Sequence, residues 1–216
     1  MINMEVLDSR DAWKENRRKG IGGSEAAAIV GMNPYMTNQE LWQIKMGLFE
    51  PEDISEKPYV KYGTEAETHL RELFKLDYPH LKVEYVDNNS WTNDKFPWAL
   101  ASLDGWITDQ DGRKGILEIK TTEILQSSQK EKWNDQIPGN YFCQILHYMA
   151  VTEADFAILK AQLKTVFGGV PYLQTKHYMI ERAEVEDDIN YLMQKEKEFW
   201  QSVQTGRKPA LLLPEL

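Results

Sequence analysis

A predicted β-hairpin over residues 98–122 constrains this chain most strongly, because it sets two acidic side chains opposite each other. Residues 110–112 (Gln-Asp-Gly) fit a three-residue hairpin loop with Gly112 in the left-handed conformation. In that register Asp104 faces Glu118, and the alternation of a strand puts both side chains on one face of the sheet. Directly opposed side chains have Cβ atoms about 5 Å apart. The hairpin therefore predicts two close carboxylates.

Two carboxylates in this arrangement repel each other unless something screens or compensates their charge. At a separation of about 4 Å the repulsion is ~4 kcal/mol with an effective dielectric constant of roughly 20. One interpretation is an ordinary solvated strand face, where water screens the pair. The other is a bound hard divalent metal, which suits the pair better than the single charge of Lys120 one pleat away. Both depend on the register, since a slip by one residue separates the two acids.

Composition narrows the class of protein. The chain has 216 residues, a net charge of −9 and one cysteine, Cys143. We expect a single domain over residues 1–216 in a reducing, cytoplasmic compartment. No apolar run approaches the ~20 residues of a membrane span, and the first ten residues do not resemble a signal peptide, so we expect no membrane association. Any nucleic-acid contact needs a local basic groove and metal ions that offset the acids.

Hydrophobic periodicity predicts helices first, then a central sheet, then a helix, a hairpin and a long C-terminal helix. The predicted helices cover residues 9–18, 25–30, 37–47, 61–76, 141–151 and 184–204. The predicted strands cover residues 81–86, 98–108, 115–122, 156–163 and 172–180. This order favours an α/β or α+β fold, with a core over about residues 60–180.

One acid of the 61–76 helix lies beside its apolar side. At 100° per residue Glu67 is about 20° from Phe74, whereas Glu65 points almost the opposite way. A charge at that boundary needs a partner, unless the side chain reaches out to solvent. Glu67 is therefore a candidate site residue.

A glycine-rich segment between two short helices is a candidate phosphate site. Arg18 is followed by Gly-Ile-Gly-Gly and then Ser24. Glycines allow close approach of a phosphate, a helix N-terminus offers free N–H groups, and an arginine fork binds phosphate oxygens. The alternative is two consecutive helices, with glycine ending the first and Ser24 capping the second.

The 141–151 helix carries a polar and aromatic stripe. Tyr141, Gln144 and Tyr148 lie on one face at i, i+3 and i+7. This stripe could contact a substrate backbone, or it could be an ordinary half-exposed helix face.

In chain order these residues resemble the PD-(D/E)XK nuclease core, and more narrowly the YqaJ-type viral recombinase family, which includes lambda exonuclease. The resemblance covers residues 12–151 and rests on the series Arg18, Gly-Ile-Gly-Gly-Ser24, Gly63-x-x-x-Glu67, Ser-Leu-Asp104-Gly, Glu118-Ile-Lys120 and Tyr141-x-x-Gln144. Leu103 stands where the core motif often has proline. The resemblance implies a restriction-endonuclease-like fold, with a central mixed sheet flanked by helices.

The resemblance also implies a metal centre. Asp104 and Glu118, with the carbonyl of Ile119, are expected to hold one Mg²⁺. Glu67 is expected to help bind a second Mg²⁺ or its waters, and Mn²⁺ is expected to substitute. Lys120 is expected to orient or deprotonate the attacking water.

Further residues are implied in DNA binding. Arg18 and Ser24 are expected to hold a phosphate near the DNA 5′ end, and Tyr141 and Gln144 to line the cleft. The implied function is exonuclease digestion of linear double-stranded DNA from 5′ ends. The resemblance also implies a ring of three subunits that passes its DNA product to a single-strand annealing protein in phage-type recombination. Alternatives are an endonuclease with the same core, a catalytically silent DNA-end binding module, and a structural protein with coincidental charges.

Overall fold

The computed structural model describes residues 1–214, which contain seven α-helices and nine β-strands. The helices are α1 (Arg10–Arg18), α2 (Gly23–Ile29), α3 (Asn38–Lys45), α4 (Pro58–Asp77), α5 (Ser127–Glu131), α6 (Gly139–Thr152) and α7 (Arg182–Gln204). The strands are β1 (Ile2–Val6), β2 (Ile21–Gly22), β3 (Lys82–Glu84), β4 (Asn89–Asn93), β5 (Ala99–Ala101), β6 (Gly105–Thr108), β7 (Lys114–Glu123), β8 (Phe156–Phe167) and β9 (Val170–Glu181).

The strands form two mixed sheets. The larger has the order β3-β6-β7-β8-β9, and within it only β7 and β8 run parallel. The smaller has the order β1-β4-β5-β2, with β2 and β5 parallel. The prediction of an α/β fold with a mixed sheet is confirmed. A single domain over residues 1–216 stays a prediction.

The predicted hairpin register is confirmed. Strands β6 and β7 pair Gly105 with Leu117, and the same register extended by one residue sets Asp104 opposite Glu118. Gly112 has φ +82°, the left-handed conformation that the loop requires.

Residues 98–108 do not form the single strand that their alternation predicts. Strand β5 belongs to the smaller sheet and β6 to the larger one. Between them, the N–H of Leu103 donates to Oδ1 of Asn89 at 2.8 Å, and Nδ2 of Asn89 donates to the Leu103 carbonyl at 3.0 Å. A buried side-chain amide thus replaces the partners that a ladder would supply. Asp104 consequently lies where the chain passes from one sheet to the other.

Helices cover both faces of the larger sheet. On one face, Leu70 and Phe74 of α4 pack against Leu117 and Ile119 of β7. On the other face lies α6, whose residues 143–152 are all buried. Its remaining sides contact α2 and α7. Across residues 1–214, no helix combines the length and apolarity needed to cross a membrane.

A buried ion pair ties α6 to α7. Nδ1 of His147 lies 2.7 Å from Oε1 of Glu196, and Nε2 lies 3.0 Å from the carbonyl oxygen of Leu100. Both ring nitrogens therefore face acceptors, which suits the imidazolium. Burial alone would lower the pKa of His147. Glu196, the Leu100 carbonyl and Glu25 of α2 together raise that pKa above its ordinary value.

We expect this pair to make stability depend on pH. Its contribution is complete below the unfolded-state pKa of about 6.5 and is lost as the pH rises through the raised folded-state pKa. His147→Gln should therefore destabilise the protein by roughly 3–5 kcal/mol at pH 6 and by less at pH 9. Thermal unfolding in EDTA measures this difference, with His69→Gln on the exposed side of α4 as the control. A loss of Tm that is equal at both pH values would contradict a charged His147.

Candidate active site

Three acidic side chains from separate segments form one cluster. Glu67 comes from α4, Asp104 precedes β6, and Glu118 lies in the middle of β7. Burial, and after it the nearby Asp104 carboxylate, raises the pKa of Glu67 to about 7 and that of Glu118 to about 8. Burial also raises the pKa of Asp104. The structure therefore brings together all three acids that the sequence singled out.

Glu118 is almost fully buried, with 1% of its side chain exposed. Its Oε1 accepts hydrogen bonds from Nζ of Lys120 at 2.7 Å and from Nε2 of Gln144 at 2.8 Å. Its Oε2 is also buried but has no hydrogen-bond partner. A buried carboxylate oxygen without a donor costs about 1–3 kcal/mol, so this atom requires an explanation.

The other two acids have protein donors. Oδ2 of Asp104 accepts from the N–H of Ile119 at 2.8 Å. Glu67 accepts from Nη2 of Arg71, and Nε of Arg71 donates to the carbonyl oxygen of Asp104 at 2.6 Å. The sequence prediction omitted Arg71. Its i+4 spacing from Glu67 on the same helix was the available signal.

The predicted stripe on α6 faces this cluster. Besides Glu118, Gln144 contacts Tyr148, whose Oη lies 3.0 Å from Nε2 of Gln144. Gln144 is buried, and the half-buried ring of Tyr141 has its centroid 5.4 Å from Nζ of Lys120. The alternative of an ordinary half-exposed helix face is wrong for Gln144.

The prediction for the glycine-rich segment requires a correction in one residue. Nη2 of Arg17, not of Arg18, donates to Oγ of Ser24 at 2.7 Å. Arg18 is 70% exposed and pairs with Glu15 and Glu50. Successive helical residues point about 100° apart, so only one of two adjacent arginines can face the loop.

Ser24 is also not the cap of its helix. Helix α2 begins at Gly23, and the N–H of Gly22 is satisfied by Oε2 of Glu25 at 2.8 Å. The hydroxyl of Ser24 is therefore not used for capping and can contact another group.

The Arg17–Ser24 segment lies next to the acidic cluster. A Cβ at Gly23 would come within 2.4 Å of Cε1 of Tyr148, so this backbone packs directly on α6. Tyr148 contacts Gln144, which contacts Glu118. One continuous set of contacts thus joins the loop to the acids.

The donor set at this site fits Mg²⁺ in its chemistry. Carboxylate oxygens and a backbone carbonyl are the ligands that hard divalent cations prefer, and the unpartnered Oε2 of Glu118 would gain a counter-charge. Within residues 1–214 no three His, Cys, Asp or Glu side chains are already arranged as a ligand set. Each of the three acids is turned toward a protein donor, so these side chains must rearrange to bind a cation.

We expect proton release when a metal binds here. With pKa values of about 7 and about 8, Glu67 is partly protonated and Glu118 mostly protonated at neutral pH, and a cation must displace these protons. Apparent Mg²⁺ or Mn²⁺ affinity should therefore rise from pH 6 to pH 9. Titration calorimetry in two buffers of different ionisation enthalpy counts the protons. Binding without proton release at pH 7 would contradict the raised pKa values.

Comparison with known proteins identifies the family of this chain. The family model of the YqaJ-like viral recombinase domain matches residues 12–155. The uncharacterized protein YqaJ of Bacillus subtilis (strain 168) is 32% identical over 204 residues, which are 94% of this chain. The chain spans 59% of the length of that relative.

The fold is similar to those of two solved exonucleases. The alkaline exonuclease LHK-Exo from Laribacter hongkongensis matches with a TM-score of 0.65 and 16% identity, over 91% of this chain and 94% of that one. The phage related exonuclease from Haemophilus somnus 129PT matches with a TM-score of 0.56 and 14% identity, over 87% and 96% of the two chains. The predicted PD-(D/E)XK fold is thereby confirmed. With its domain model matched across residues 12–155, this chain belongs to the YqaJ-like viral recombinase family.

Proposed function

We propose that this chain is a Mg²⁺-dependent exonuclease that degrades linear double-stranded DNA from 5′ ends. One observation carries the proposal: Glu67, Asp104 and Lys120 lie close enough to Glu118 to shift its pKa, and the buried Oε2 of Glu118 has no protein partner. Membership of a viral recombinase family and the exonuclease folds of the structural neighbours support a nuclease role.

In this proposal the acids hold the metal. Asp104, Glu118 and the carbonyl of Ile119 would bind one Mg²⁺, and Glu67 a second one or its waters. When bound, Mg²⁺ or Mn²⁺ supplies Lewis-acid activation of water and neutralises charge on the phosphate. Gln144 fixes the orientation of Glu118 through its 2.8 Å hydrogen bond, and the exposed edge of Tyr141 is available to the substrate.

Lys120 is better suited to orienting water than to accepting its proton. Burial acts to lower the pKa of Lys120, but Glu118 and Asp104 outweigh burial and raise that pKa above its ordinary value. A general base must be unprotonated when it acts, whereas this amine stays charged at neutral pH. As an ammonium, Lys120 holds the attacking water and offsets the negative charge that develops on the phosphorane.

A local basic surface lies beside the acids despite the net charge of −9. Arg10 and Arg17 approach the ring of Trp13, with Cζ atoms 3.9 and 4.8 Å from its centroid. We infer that Arg17 and Ser24 hold the terminal phosphate of a DNA 5′ end, in place of Arg18 and Ser24. LHK-Exo has also been solved in complex with dAMP, a nucleotide ligand that is consistent with this role.

Cleavage of linear and closed circular duplexes tests the proposed reaction. We expect the protein to degrade end-labelled linear DNA with Mg²⁺ or Mn²⁺, to be inactive in EDTA, and to leave closed circles intact. Asp104→Asn should reduce activity to background with a normal fold, because it removes one metal ligand. Glu65→Gln, which changes an exposed acid on the same helix as Glu67, is the matched control.

Each other outcome identifies an alternative. Cleaved circles would indicate an endonuclease, and DNA binding without metal-dependent products would indicate a silent end-binding module. Release of 3′-terminal nucleotides first would contradict the direction. The annealing partner, the ring of three subunits and the cytoplasmic location stay predictions.

End recognition is tested with duplexes that carry a 5′-phosphate or a 5′-hydroxyl. Charge-assisted hydrogen bonds contribute about 1.5–3 kcal/mol, so we expect kcat/KM to favour the phosphorylated end by on the order of 10–100-fold. Arg17→Gln should remove most of this preference, and Arg18→Gln should leave it unchanged. Equal rates on both ends in the unaltered protein would eliminate the assigned role of Arg17.

A further inference from the structure

Arg71 is a buried cation at the centre of the proposed site. Only 4% of the residue is exposed, although arginine is almost never buried without partners. It lies one helical turn after Glu67 on α4, and its side chain reaches from the helix to the chain segment that precedes β6. The proposed catalytic chemistry gives it no direct role.

The guanidinium of Arg71 joins three chain segments. Nη2 donates to the Glu67 carboxylate, and Nε donates to the carbonyl oxygen of Asp104 at 2.6 Å. The Cζ atom lies 3.4 Å from the centroid of the Tyr85 ring. A planar fork can satisfy two acceptors and stack on a ring at once, which the point charge of a lysine cannot do.

These contacts fix the relative position of two carboxylates that repel each other. One guanidinium binds both the Glu67 carboxylate and the main chain at Asp104, so it limits how far the two acidic residues can move apart. Arg71 binds Oε1 of Glu67 and the main chain of Asp104, but not the Asp104 carboxylate. Oε2 of Glu67 is therefore left for other ligands, and so is Oδ1 of Asp104, whose Oδ2 accepts from the N–H of Ile119.

We propose that Arg71 is a positioning residue for metal binding, which sets the helix acid against the hairpin acid. This inference rests on the proposed metal-dependent nuclease function. It assigns to Arg71 an effect on metal affinity and turnover, and no contact with DNA.

The chain supplies a matched structural control on the same helix. Lys160 of β8 is 1% exposed, and its Nζ lies 2.7 Å from Oδ2 of Asp77, the last residue of α4. Ten residues, about 15 Å along the helix, separate Asp77 from Glu67. Lys160 pairs with Ile119 through the main chain. Its ammonium, however, contacts Asp77 and His177 and none of the three clustered acids. Lys160→Met thus removes only a buried cation that holds α4 to the sheet.

The experiment compares Arg71→Met, Arg71→Lys and Lys160→Met with the unaltered protein. Mn²⁺ binding without DNA is followed by electron paramagnetic resonance, and kcat, KM for DNA ends and Tm are measured separately. We expect Arg71→Met to weaken Mn²⁺ binding and to lower kcat, each by about 10–100-fold, with KM little changed. Arg71→Lys should restore stability more than Mn²⁺ affinity. Lys160→Met should lower Tm alone.

A double variant with Glu67→Gln separates positioning from structural support. If Arg71 acts through Glu67, adding Arg71→Met to Glu67→Gln should reduce Mn²⁺ affinity little further. Should Arg71→Met fail to fold, Arg71→Lys gives the same comparison. Wild-type Mn²⁺ affinity and kcat in a folded Arg71 variant would overturn the inference while nuclease activity stands. An inactive unaltered protein would instead overturn the proposed function, and failure to bind Mn²⁺ would overturn both.

Discussion

Repulsion among three largely buried carboxylates is the constraint on which the rest of this structure depends. Helix α4 supplies Glu67, the chain from Asp104 through β7 supplies the other two acids, and two cations, Lys120 and Arg71, pair with Glu118 and Glu67. Two positive charges would not balance three ionised acids. Burial and this repulsion therefore raise the pKa values of Glu67 and Glu118, and one oxygen of Glu118 has no donor. A cluster built in this way has a standing affinity for protons and for divalent cations, and the two compete for the same oxygens.

Short-range features of the site were predictable from sequence because local geometry determines them. The loop type and the period of a strand fixed the hairpin register, and the period of a helix placed Glu67 and the Gln144 stripe. Long-range contacts were not predictable. The side-chain amide of Asn89 binds Leu103, fourteen residues later, and so divides the expected strand before Asp104. Strand β1 pairs with β4 although four helices lie between them in the chain. Arg17 replaces Arg18 because a shift of one helical residue changes the direction of a side chain by about 100°.

Helix α6 shows how a buried helix can carry polar function. The sheet, α2 and α7 enclose most of this helix, yet its buried residues include the polar side chains of Gln144 and His147. Each has a specific acidic partner, Glu118 on one side and Glu196 on the other. Such pairs add less to net stability than apolar packing would, but they permit few alternative rotations of the helix. The orientation that satisfies His147 is the one that aims Gln144 at the acids.

The contact between Gly23 and Tyr148 bears on the size of the fragments that the proposed exonuclease would release. Because backbone lies directly against an aromatic ring there, close packing holds the glycine loop at a fixed distance from α6. A strand end seated in that loop would always present the same bond for hydrolysis. The packing at one glycine would then determine the size of each released fragment.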